Sequence, residues 1–116
     1  MSERRIIAIG LAALFAALLG LATHDARADD AVSVSLIIKN HQFDPPETHA
    51  PAGKQIVFHV KNLNDIVSEF ESSDLHFEKI VPAGSEAVVY VHPLKPGRYN
   101  YYDDFHHATQ GYLVVQ

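Results

Sequence analysis

Twice in this chain a Pro-Ala-Gly turn launches an apolar strand: Ala50-Pro-Ala-Gly-Lys-Gln-Ile-Val-Phe-His-Val60 and, thirty-one residues later, Val81-Pro-Ala-Gly-Ser-Glu-Ala-Val-Val-Tyr-Val91. Proline early and glycine late is the chemistry of a turn whose glycine takes a positive φ. In the strand that follows, period two puts Ile56, Phe58 and Val60 on one face and His59 on the other. A single recurrence is too little for a solenoid, so the same turn is simply used twice. Around these segments lie other short β-branched or aromatic runs. They fall near residues 32–39, 47–50, 55–61, 66–71, 76–81, 86–92, 98–102 and 111–116. In the first run Val32, Val34, Leu36 and Ile38 are expected to face a core. Asn40-His-Gln-Phe-Asp-Pro-Pro46 reads as a break, with His41 a solvated loop residue and Phe43 folding back over one end of the core. No segment beyond residue 28 carries a 3.6-residue pattern. The chain is therefore expected to be all-β, a Greek-key sandwich of seven or eight strands.

The first 28 residues stand apart. Two arginines, Arg4 and Arg5, precede an apolar run from Ile6 to Ala22, and Ala26-Arg27-Ala28 offers a small-residue cleavage site. This is the layout of a secretory signal peptide removed after Ala28, which leaves residues 29–116 as one domain and places the protein in the periplasm. Cleavage takes three of the nine basic and two of the fourteen acidic residues with it, leaving a net charge of −6. Such a surface repels nucleic acid and attracts cations or basic partners. The chain holds no cysteine. Disulfide stapling, thiol catalysis and thiolate-ligated metals are all excluded, and stability must come from an apolar core.

The polar chemistry gathers in two places. Asp103, Asp104, His106 and His107 fall within five residues between aromatic Tyr99-Asn-Tyr-Tyr102 and a final strand opened by Gly111. Upstream, Glu69 and Glu71 share one face of a strand, and His76 and Glu78 share another. Like charges so placed repel unless a cation or water lies between them.

Several signals in order carry a resemblance to a known superfamily. They are Phe43-x-Pro45, Pro51-Ala-Gly53, a strand ending Val60-Lys-Asn62, Leu94-Lys-Pro-Gly97-x-Tyr99, and the His-containing loop before Gly111 and Leu113-Val-Val115. Across the exported part the chain resembles the cupredoxins. More narrowly, Glu69-Phe-Glu-Ser-x-Asp-Leu75, Glu78-Lys79 and Phe105-His106 look like the periplasmic cupredoxin-like proteins of bacterial high-affinity iron permease systems. The resemblance implies a metal site. The blue-copper cysteine position falls at Asp103, which precedes His106 by the Cys-x-x-His spacing. The early histidine position falls near Glu69, and the methionine position at Thr109 or Gln110. One of the four usual ligands is kept.

The implied set is Glu69, Asp103 and His106, joined by His107 and Glu78, with Glu71 and His76 as further candidates. Hard carboxylates in place of a thiolate suit copper or iron without a type 1 blue centre. The resemblance further implies a role in iron uptake beside a periplasmic iron-binding protein and an inner-membrane iron permease. Two other readings stand beside it: a copper buffer using His41, His49, His59 and His92, and a metal-free module whose acidic edge docks a basic partner. No nucleophile motif, phosphate-cradling loop or metalloprotease helix is present. Metal oxidation in support of iron uptake is the most chemistry such a chain offers.

Overall fold

The protein's structure, a computed structural model, describes residues 31–116. The signal segment and its cleavage site lie outside the described residues. Nine strands follow in chain order: β1 Val32–Lys39, β2 Gln42–Asp44, β3 Glu47–Ala50, β4 Ile56–Asn62, β5 Ser68–Ser72, β6 Phe77–Val81, β7 Glu86–Val91, β8 Gly97–Asp103 and β9 His106–Val115. They form two sheets, in the orders β2-β1-β4-β7 and β3-β9-β8-β5-β6. Two of the pairings are parallel, β1 with β4 and β3 with β9. The all-β sandwich expected from the sequence is thus observed, with nine strands rather than seven or eight.

The additional strand is β2, inside the stretch read as a break. Asn40 and His41 take left-handed φ values of 52° and 59°, so the chain reverses in two residues and Gln42–Asp44 pairs back along β1. Pro45 and Pro46 come after this pairing and cost it no hydrogen bond. Gly53 and Gly84 both have positive φ, 79° and 70°, so the twin Pro-Ala-Gly turns do share one chemistry.

Alternation decides the core. Val34, Leu36 and Ile38 of β1, Ile56, Phe58 and Val60 of β4 and Val89 and Val91 of β7 face Phe70, Val81, Tyr101, Leu113 and Val115 of the second sheet. Val32 is only partly buried, at the rim. Phe43 is buried and packs edge-on to Phe70 and Tyr101, with centroids 5.8 and 5.0 Å apart. Tyr101 sits at the centre of this aromatic group, also edge-on to Phe58 and Phe70. Its hydroxyl meets Thr48 Oγ1 at 3.1 Å, and burial pushes its pKa up to about 12. Asn62, wholly buried, donates to the carbonyls of Ile66 and Val81 at 2.9 and 3.0 Å and accepts from the Asn64 amide. That fixes the loop leading into β5, the strand that carries the acidic residues.

Candidate metal centre

Burial along β5 alternates: Ser68, Phe70 and Ser72 point inward, so Glu69 and Glu71 lie on the outer face of the five-stranded sheet. Register then assembles their surroundings. Glu71 stands opposite Glu78 of β6 on one side and Tyr102 of β8 on the other. The turn between β8 and β9 is short, Asp104 and Phe105; two hydrogen bonds stitch it to β5 and a third closes the turn on itself. The Asp104 amide donates to the Glu69 carbonyl at 2.9 Å. The amides of Glu69 and Phe105 both donate to Asp103 Oδ1 at 3.0 Å. The Asp104 carboxylate is thereby brought beside the β5 acids. Among the described residues, Glu69, Glu71 and Asp104 form a trio whose ligand oxygens all lie within 4.8 Å of one another.

Polar neighbours orient the trio. Tyr102 donates its hydroxyl to Glu71 Oε2 at 3.0 Å and shares a second bond with Ser73 Oγ at 3.0 Å. His107 Nε2 lies 3.0 Å from Asp104 Oδ1. The β8–β9 ladder explains how His107 gets there. Tyr102 pairs with Gln110 while the next residue, Asp103, pairs with His106, so residues 107–109 bulge from β9. Partial burial, the hydrogen bond with Glu71 and the charges of Glu78, Glu71 and Asp104 together push the Glu69 carboxyl above its ordinary range. Carboxylates crowded to that degree favour a cation among them.

The residues expected at the site therefore divide. Glu69 lies in the trio, Glu78 faces it from β6, and His107 joins through Asp104. Asp103 is buried, only 2% exposed, and its Oδ1 is engaged by two backbone amides. His106 is exposed and stacks on His41. Glu71, a further candidate from the sequence, and Asp104, noted there only as part of the acidic run, complete the trio. The signal for Asp104 was alternation: with Tyr101 in the core, Tyr102 points out and Asp103 points in.

A type 1 copper ion does not fit these residues. There is no thiolate, and the carboxylate at the cysteine position is spent on holding the turn. An oxygen-rich trio with one imidazole nearby instead fits a hard or borderline cation. Asp103→Asn, which keeps an acceptor for both amides, should leave cation affinity measured by calorimetry little changed. Asp103→Ala orphans both amides and should cost about 2–3 kcal/mol in denaturant unfolding. If Asp103→Asn instead abolishes binding, Asp103 belongs to the ligand set.

Comparison with known proteins agrees with the architecture. The chain matches the family model described as Cupredoxin-like domain over residues 10–115. It is 40% identical over 88 residues to an uncharacterized protein of Rickettsia prowazekii (strain Madrid E), covering 75% of this chain and 70% of that one. Among solved structures it is similar to the metal-binding domain of the Cu(I)-exporting P-type ATPase of Streptococcus pneumoniae D39 solved with Cu(I). There the TM-score is 0.67 at 11% identity, over 76% of this chain and 88% of that one. It is also similar to auracyanin A, a "blue" copper protein of Chloroflexus aurantiacus, with a TM-score of 0.63 at 16% identity over 74% and 99% of the two chains. At such identities the structural likeness speaks for the fold alone. The family model spans nearly the whole chain, and the chain belongs to the cupredoxin-like domain family.

Proposed function

We infer that this is an exported, periplasmic cupredoxin-like protein that binds a copper or iron ion outside any blue-copper centre and assists iron uptake through a permease complex. The observation that carries the metal reading is the convergence of Glu69, Glu71 and Asp104. Glu69, Glu71 and Asp104 would hold the ion, with His107 within reach through Asp104. The bound ion would supply a Lewis-acidic and, for copper or iron, redox-capable centre. The chain's own residues position it: Tyr102, itself held by Ser73, fixes Glu71, and the hydrogen bond from the Asp104 amide to the Glu69 carbonyl fixes the turn. Iron uptake is supported by the resemblance of Glu69 to Leu75, Glu78-Lys79 and Phe105-His106 to proteins of iron permease systems. A periplasmic iron-binding protein and an inner-membrane iron permease are the partners that follow.

Calorimetry with anaerobic Fe(II), Cu(II) and Zn(II) tests the metal reading. Binding clearly tighter than about millimolar, roughly −4 kcal/mol, is expected for iron or copper, and its absence for all three ions would end the proposal. Because the chain has no thiolate, the Cu(II)-loaded protein should be pale. An intense visible charge-transfer band would contradict the donor set described above. The transport role is tested separately, by ferrous iron uptake into cells lacking the gene, which should fall when ferrous iron is scarce.

A further inference from the structure

We propose that the free edge of β7 pairs with the same strand of a second copy, joining two protomers through their four-stranded sheets into a symmetric dimer. The sandwich has four sheet edges, β2 and β7 in one sheet and β3 and β6 in the other. Three of them are built in ways that discourage strand addition. β2 is three residues long and runs into Pro45 and Pro46. β3 is four residues long, carries Glu47 and His49 on its exposed side, with Arg98 3.9 Å from Glu47, and ends at Pro51. β6 presents Glu78, and its Lys79 occupies an inward position, opposite the buried Phe70.

β7 has no such guard. Its burial alternates without interruption over Glu86–Val91, and its outer face shows Val88, 38% exposed, and Tyr90, 68% exposed. The backbone is ready as well. The Asn62 amide donates to the Ser85 carbonyl at 2.8 Å, in register with the β4–β7 ladder. Bonded residues alternate along an antiparallel pair, so Ala87, Val89 and Val91 bond to β4 while Glu86, Val88, Tyr90 and His92 turn their amides and carbonyls to the open side. Among the described residues no strand lies there.

Symmetry narrows the register. Two copies of one strand pair antiparallel about a two-fold axis, and residues directly opposite share a face only when that axis passes at a residue. With the axis at Val89, Val88 faces the partner's Tyr90 and Glu86 faces the partner's His92: apolar against aromatic, carboxylate against imidazole. An axis at Val88 would set Glu86 against the partner's Tyr90, and an axis at Tyr90 would set Val88 against the partner's His92. The Val89 register is the one that matches every outward pair. β4 continues both rows, because Val57 stands beside Tyr90 and Lys61 beside Glu86. A contact one strand deep is small, so the dimer is expected to be weak, with a Kd of roughly 10–100 μM.

Sedimentation equilibrium of the purified protein, with a chelator present so that no metal bridges two copies, should show a monomer–dimer equilibrium in that range. This outcome does not depend on whether the acidic trio binds an ion. Val88→Lys, which places a charge on the edge, should weaken association at least tenfold with little change in Tm. The register is read by cross-linking, which the absence of native cysteine makes clean. Under mild oxidation, an equal mixture of the Val88→Cys and Tyr90→Cys proteins should form disulfide dimers several-fold faster than either protein alone. A chain that stays monomeric up to about millimolar concentration, as expected if the edge instead receives a strand of a different protein, would overturn the proposal. So would association unmoved by Val88→Lys, or faster cross-linking in either single variant than in the mixture.

Discussion

Replacing Glu69 and Glu71 together by glutamine is expected to lower cation affinity at the acidic trio by about a hundredfold, roughly 2.7 kcal/mol, while raising the Tm of the metal-free protein. The two effects have one cause. Glu69, Glu71 and Asp104 share a small volume, and Glu78 adds a fourth negative charge across the β5–β6 pair. Without a cation that crowding works against the fold; with one it becomes the binding energy. The pH dependence follows from the raised Glu69 carboxyl. Between its ordinary range and its raised value, the folded chain keeps a proton that the unfolded chain has released. Stability of the metal-free protein should therefore rise as pH falls through that window and be lower above it. Glu69→Gln should flatten this part of the profile. Calorimetry gives the affinities and thermal melts between pH 4 and 8 give the rest. If the double variant binds iron and copper as tightly as the native protein, the trio is not the site.

A second large effect is expected at Gly111. It stands opposite Tyr101 in the β8–β9 ladder, and a Cβ added there would run into the Tyr101 ring and press on Phe43. The ring has nowhere to go. It is wholly buried, edge-on to Phe43, Phe58 and Phe70, and tethered through its hydroxyl to Thr48. Gly111→Ala should thus cost about 3 kcal/mol, the upper part of the usual range for an overpacked core. For a domain of this size that corresponds to a fall in Tm of roughly 15 °C. Gly97→Ala is the control, because its added carbon would meet Tyr99 only at ordinary contact distances of 3.5–3.6 Å. Similar melts for the two variants would show that the Tyr101 ring can move aside.

The sandwich was legible because its signals are local. Alternation in residues 32–39 and 55–61 identifies strands without any partner in view, and Pro-Ala-Gly announces both turns. The β2 strand was hidden because its turn uses Asn40-His41, and histidine at a left-handed position gives no sequence cue comparable with Asn-Gly. The start of β9 was hidden for a related reason. Its first residues look like a polar loop, and a bulge at 107–109 interrupts the alternation that marks a strand. At the site, Glu69 could be found from its face, and alternation from Tyr101 separates inward Asp103 from Asp104; what local sequence does not state is the β5–β8 register that brings Asp104 beside Glu69.

The position of β9 bears on how the chain must be made. It lies between β3 and β8, and its parallel partner β3 was synthesised some sixty residues earlier. Until β9 exists, β3 has no partner and the second sheet is only β8-β5-β6, so part of the other sheet's apolar face stays uncovered. Pairing over such a separation in sequence is slow. The two sheets therefore stay apart along one edge until β9 arrives, and β9 acts as the closing stave of the sandwich.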